Sequence, residues 1–226
     1  MILGLDTATA ATTAAVWSPD GAAFEARDDP EPGTRPRHAT RLLALVEEAL
    51  EGAGAGWEDV TRIAVGVGPG GFTGLRHGIA TARALAQGRG LPLAGVSSLQ
   101  ALAAPAAREA PGRAIVAVID ARRGEVFAAA WRGAELLLEA AAIAPAELAA
   151  KLAAPPFAGA LALGDGSVRF REELERAGAT VPADRSPAHR VTALEVCRLG
   201  AAGGTAERDG LIPDYRRAPD AKPQPR

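Results

Sequence analysis

The sequence predicts an α/β protein built from two copies of one lobe, on three observations. Short apolar runs bounded by turn residues alternate with longer helical patterns through the first half. One such run leads into a helix through AVGVGPGGFTGLRHG, residues 64–78, which crowds six glycines around one proline. The opening pattern then returns: residues 2–17 read ILGLDTATAATTAAVW and residues 116–131 read VAVIDARRGEVFAAAW. Each is an apolar strand, an aspartate, a small turn, a second strand and a tryptophan. The steps from Asp6 to Asp120 and from Trp17 to Trp131 are equal, about half the chain, a period that suits two facing lobes rather than a solenoid.

The elements follow in order. Ile2 to Leu5 is an apolar run ending at Asp6, and Thr12 to Trp17 is its hairpin partner. The turn SPDG at 18–21 leads to a third strand beginning near Phe24, and the charged, proline-rich residues 25–37 read as a solvated loop. A helix is expected from His38 to Gly52, with Ala39, Leu42, Leu43, Val46, Ala49 and Leu50 on one face and Gly52 and Gly54 as stop signals. Ile63 to Val67 reads as a buried strand, residues 72–87 as a helix ended by Gly88 and Gly90, residues 91–96 as a strand, and residues 98–108 as a helix. PGR at 111–113 marks a boundary. The expected organisation is a first lobe over 1–110, a smaller second lobe over 111–215, and a disordered tail over 216–226.

Composition narrows the function classes. The 226 residues are 48% hydrophobic with a formal net charge of −2, which excludes a globally basic nucleic-acid binder. No apolar run reaches the length of about 18 residues that a membrane span requires, and the N-terminus lacks a basic export signal, so a cytoplasmic protein is expected. The single cysteine, Cys197, excludes an internal disulfide and suits a reducing compartment.

The glycine stretch satisfies G-x-G-x-x-G at Gly66, Gly68 and Gly71. A dinucleotide site also needs an acidic residue about 20 positions on, and none occurs from Val60 to Arg108. Phe72 and Thr73 stand where a P-loop needs Lys and Ser/Thr. What remains is close packing. Gly74, Gly78, Ala82 and Ala86 repeat every four residues, a strip nearly without side chains. Either another part of the chain or a partner can lie against it, and the residues alone favour neither. Arg62, Arg76, Arg83, Arg89 and Arg108 lie in the same acid-free segment, either solvated or facing an anionic partner such as RNA. Of the three histidines, His38, His77 and His189, no two are spaced to share a metal on one helix face.

LGLDTAT at the N-terminus, the helix opening His38-Ala39 with Leu42-Leu43, GVGPGGFTGLRHG, GLPLAGVSSLQALA at 90–103 and AVIDARRGEVFAA together resemble the bacterial accessory proteins of tRNA threonylcarbamoyladenosine biosynthesis, the TsaB (YeaZ) family. The resemblance covers residues 1 to about 131, with thinner matches at the GDG of 164–166 and PDYRR of 213–217. Gly71 and Ala39 stand where the family carries serine, Ala44 where it carries proline, and Arg216 where it carries leucine.

The resemblance implies the duplicated ribonuclease-H-like fold of actin, sugar kinases and Hsp70, with two lobes that each hold a mixed sheet and helices. It implies a subunit that is not catalytic on its own. The partners would be a metal-dependent transferase, TsaD, and an ATPase subunit, TsaE, with tRNA engaged indirectly and a homodimer formed when the chain is alone. The assembly moves threonylcarbamoyl from its adenylate to N6 of the adenosine 3′ to the anticodon, in tRNAs reading codons that begin with A.

On the resemblance, the transferase contact falls at His38, Leu42, Val46, Gly74, Arg76, Gly78 and Ala82. Asp6, Thr7 and Thr9 match a nucleotide-contacting turn, although Asp6 equally suits a capped Asx turn. At Asp120 the neighbours Arg122, Arg123 and Glu125 replace phosphate-loop residues. The transferase relative carries its metal pair where this chain has Ser98 and Leu102, so the chain itself is expected to need no metal or cofactor, with ATP or ADP belonging to the complex. An autonomous ATPase or kinase of the same fold is the rival reading.

Overall fold

The computed structural model describes residues 1–31, 33–205 and 210–217. The first half forms β1 (Ile2–Asp6), β2 (Thr12–Trp17), β3 (Ala23–Asp28), α1 (His38–Gly52), β4 (Arg62–Gly68), α2 (Phe72–Arg89), β5 (Leu93–Ser97) and α3 (Ser98–Glu109). The second half forms β6 (Ala114–Arg122), β7 (Glu125–Arg132), β8 (Glu135–Ile143), α4 (Pro145–Leu152), β9 (Leu161–Leu163), α5 (Asp165–Arg169), α6 (Arg171–Arg176) and α7 (Ala193–Ala202).

The two sheets repeat one topology. The first runs β3-β2-β1-β4-β5 and the second β8-β7-β6-β9. In each, the first two hairpins are antiparallel and the fourth strand joins the first in parallel. The fifth strand of the second sheet is reduced to one parallel bridge between Leu161 and Thr180. α3 and α7 therefore hold equivalent places, each following the fifth strand of its own half.

These two helices are exchanged between the sheets. α3 packs on β6 and β7, whereas α7 packs on β1, β2 and β4. One continuous core joins Ala64, Val96 and Leu99 from the first half to Ile115, Phe127, Leu163, Val196 and Cys197 from the second. A cut at 110/111 separates the sheets in sequence, but it does not separate their cores. Arg108 on α3 locks the exchange through two 2.7 Å hydrogen bonds to Glu195 on α7. Burial pushes the Glu195 carboxyl up, but the hydrogen bonds from Arg108 and Arg198 outweigh it and hold it below the usual glutamate range.

α1 and α2 cover the outer side of the first sheet around Leu3, Leu5, Ile63 and Val65. Both end as their glycines direct: Gly54 and Gly90 adopt positive φ, and the following amides, Ala55 and Leu91, donate back to Leu50 and Ala86. The buried face of α1 is His38, Leu42, Leu45, Val46, Ala49 and Leu50. The expected face held Ala39 and Leu43 in place of His38 and Leu45, and both of those are exposed. His38 turns inward because Thr12 on β2 meets its Nδ1 at 2.8 Å.

Of the expected tail, two residues lie within the described chain. Arg216 and Arg217 are placed, with Arg217 hydrogen-bonded to Glu125, while the rest of the tail, 218–226, lies outside the described residues. No helix among the described residues is long and apolar enough to cross a membrane.

Candidate functional site

The glycine stretch receives the β1–β2 turn of its own chain. The Gly71 amide donates to the Ala8 carbonyl at 2.7 Å, and a Cβ on Gly70 would stand 2.7 Å from the Ala8 Cβ. One helical turn on, a Cβ on Gly74 would meet the Thr7 carbonyl oxygen and stand 3.1 Å from His38 Nε2, and one on Gly78 would meet Thr7 Oγ1. Thr7 is fully buried there and donates its hydroxyl to the Gly74 carbonyl at 2.8 Å. Ala82 and Ala86 continue the strip into the core beside Leu42 and Val46. Of the two bodies that could lie against the strip, the chain's own turn fills the space.

The structure places six of the seven expected contact residues inside the chain. His38, Leu42, Val46, Gly74, Gly78 and Ala82 are buried inside the chain, and only Arg76 faces outward. What the two helices present to solvent is another set: Ala39, Leu43 and Glu47 on α1, and Phe72, Arg76, Ala80 and Ala84 on α2. Leu43 and Phe72 are more than half exposed. Phe72 does not stand alone, because its ring lies 5.4 Å from that of Tyr215, and the Arg76 guanidinium stacks 3.7 Å above it while Nε–H donates to the Tyr215 hydroxyl at 3.1 Å. This aromatic and arginine cluster is the composition that anchors protein interfaces.

The residues matched to a nucleotide-contacting turn lie at the start of the same turn. Asp6 is 1% exposed; its Oδ1 accepts the Ala8 amide at 2.8 Å and its Oδ2 accepts the Ser98 hydroxyl at 2.6 Å. It is an Asx cap, the second of the two readings. Burial raises its pKa above the ordinary aspartate value, against the lowering effect of those two bonds. As placed, neither Asp6 nor Thr7 offers a free face to a phosphate; Thr9 is half-buried.

Asp120 repeats the motif one lobe on. Its Oδ1 accepts the Arg122 amide at 2.8 Å, and its Oδ2 is paired with Arg169 at 2.8 Å and Arg122 at 3.3 Å. Its own amide donates to Asp165 Oδ1 at 2.9 Å, and burial raises the Asp165 pKa.

Ser98 is buried against Asp6, and Leu102 is 2% exposed in the shared core. Among the described residues there is no group of three His, Cys, Asp or Glu arranged to hold an ion. His189 is structural: Nδ1 accepts the Gly164 amide at 3.1 Å and Nε2–H donates to Pro182. Cys197 sits against Gly4, fully buried, and burial pushes its thiol well above the usual range. Of the arginines in the acid-free segment, Arg62 caps the carbonyls at the end of α7, Arg89 stacks on Trp57, and Arg76 and Arg108 are engaged as above.

Sequence reasoning missed the Ser98–Asp6 link and the Phe72–Arg76–Tyr215 cluster. The second was signalled only by two motifs, FTGLR and PDYRR, that nothing local connects.

Comparison with known proteins follows the same lines. Residues 30–161 match the family model described as "TsaD: tRNA N6-adenosine threonylcarbamoyltransferase". The tRNA threonylcarbamoyladenosine biosynthesis protein TsaB of Escherichia coli is 42% identical over 135 residues, 58% of this chain and 54% of that one, so the match spans about half its length. Its Bacillus subtilis counterpart is 30% identical over 82% of each chain. Among solved structures, a Pseudomonas aeruginosa protein described as similar to peptidase YeaZ superimposes with a TM-score of 0.76 at 31% identity, covering 96% of this chain and 99% of that one. A Thermus thermophilus ROK hexokinase shares the fold alone, at a TM-score of 0.53 and 13% identity. The duplicated two-lobe fold is thus shared with that sugar kinase, and the chain belongs to the TsaB (YeaZ) family.

Proposed function

We propose that this protein is a noncatalytic accessory subunit in tRNA threonylcarbamoyladenosine biosynthesis. In this reading it binds the metal-dependent transferase TsaD through the outer face of α1 and α2, in the cytoplasm. TsaE joins the assembly, ATP or ADP acts at the complex, and tRNA is held mainly by the other subunits. Alone, the chain pairs with itself through the same face. The assembly transfers threonylcarbamoyl to N6 of the adenosine 3′ to the anticodon in tRNAs reading codons that begin with A.

The supporting observation is where the polar groups of the first lobe are engaged. The aspartate and threonine that a working nucleotide turn would present are committed to Ser98, Ala8 and Gly74 inside the chain. The outer helix face, by contrast, carries Leu43 and the Phe72–Arg76–Tyr215 cluster in the open. The same enclosure weighs against an autonomous ATPase or kinase.

The test is affinity for the transferase of the same organism, measured calorimetrically. Leu43→Asp and Ala80→Glu place charge on exposed positions and leave the core alone, so each is expected to keep the fold and weaken binding at least about tenfold. Undiminished binding by both folded variants would refute the proposed face.

A further inference from the structure

Residues 210–217 do not lie on one lobe. They run from the carboxyl end of β4 to the carboxyl end of β6, the side of an open α/β sheet where ligands enter. The grip on the first lobe is extensive. Leu211 is 5% exposed, seated over Gly95, where a Cβ would stand 2.6 Å from its Cδ1. The Asp214 amide donates to the Val67 carbonyl at 2.8 Å, and Tyr215 packs against Phe72 and Arg76. Two residues later the chain grips the other lobe. Arg217 donates to Glu125 Oε2 at 2.9 Å, to the Ala121 carbonyl at 3.0 Å and to the Arg122 carbonyl at 3.4 Å.

The hairpin that it holds is itself strained. Arg122 and Arg123 have φ of 63° and 54°, left-handed backbone that arginine seldom adopts without support from its surroundings. Arg217 supplies such support by binding the carbonyls on one side of that turn and Glu125 on the other.

We propose that residues 210–217 are a strap that ties the two lobes across the carboxyl ends of β4 and β6, the glycine loop with α2 on one side and the β6–β7 hairpin on the other. The lobes are joined at the base by the exchanged helices α3 and α7. The strap closes the opposite side, so the lobes move as one body and the Phe72–Arg76 face keeps a fixed geometry. This inference concerns the chain alone and stands apart from the docking reading.

The test uses the full chain with Arg217→Ala, which removes contacts made only to the second lobe. If the strap couples the lobes, amide hydrogen exchange rises about tenfold in the first lobe, at Gly71 and Leu75, as well as at Arg122, while α3 and α7 keep their protection. Acceleration confined to the hairpin would overturn the proposal. Should alanine also loosen α3 and α7, Arg217→Lys decides by the same comparison, since it keeps the charge but cannot span Glu125 and two carbonyls. A second readout is the spin-label distance between Glu48→Cys on α1 and Glu172→Cys on α6. It is expected to broaden in either Arg217 variant, and an unchanged distribution would equally overturn the strap.

Discussion

Alanine substitution along α2 gives opposite signs on one helix. Gly88 is exposed with nothing within 4 Å of its Cβ position, so Gly88→Ala collects the helix-propensity gain, about 0.5–1 kcal/mol. Gly74→Ala has the same gain, but its methyl runs into the Thr7 backbone carbonyl and crowds His38 Nε2. Overpacking of this kind costs about 1–3 kcal/mol, and the contact here is with backbone, so the expected net is a loss of up to about 2.5 kcal/mol. Gly78→Ala strikes Thr7 Oγ1 and displaces the hydroxyl that bonds the Gly74 carbonyl, again a net loss. In a Thr7→Ala background that obstacle is gone, and Gly78→Ala should become stabilising. Urea melts of the four single variants and the Thr7/Gly78 double variant close the cycle. If Gly74→Ala and Gly78→Ala stabilise as Gly88→Ala does, the claim that the strip receives the chain's own turn is wrong.

Asp6→Asn keeps an acceptor for the Ala8 amide and a donor for Ser98 while removing a buried charge. Because the folded carboxyl titrates above its unfolded value, wild-type stability falls as pH rises through the folded pKa. The asparagine variant should therefore gain on wild type as pH rises through that range, in urea melts taken across it; a difference that does not change with pH would count against a raised, buried carboxyl. Arg108→Ala leaves Glu195 with Arg198 alone and is expected to cost about 1–3 kcal/mol near neutral pH. The depressed Glu195 pKa makes that stabilisation present above the unfolded carboxylate pKa and lost as pH falls through the folded one, so the gap between wild type and variant should shrink in acid. Cys197 should stay inert to thiol reagents until the protein unfolds, and modification of native protein would show that α7 does not seal on β1.

Turn chemistry made the order of strands and helices readable. Gly54 and Gly90 stop α1 and α2 where expected, and the Asp6 and Asp120 turns repeat the same carboxylate-to-amide bond. The glycine strip was readable as a close approach, but not what approaches, since spacing along a helix says nothing of what covers it. The same gap hid the exchange of α3 and α7: an amphipathic helix records which side is apolar, not which sheet receives it. On α1 the face was read with Leu43 inside because leucine at that spacing is ordinarily buried. A histidine–threonine bond between α1 and β2 rotates the buried face toward His38 and Leu45 instead. Long-range polar pairs stayed invisible for a related reason. Ser98 and Asp6 lie 92 residues apart, and Arg108 and Glu195 lie 87 apart, so no local pattern couples them.

A reconstituted threonylcarbamoyl transfer onto tRNA tests the central claim most directly, using purified transferase and ATPase subunits from one organism, with this chain present, absent or alone. The account predicts no transfer by the chain alone, product when all three are combined, and loss of product with folded Leu43→Asp or Ala80→Glu. Transfer by the isolated chain, or full activity with both helix-face variants, would contradict it.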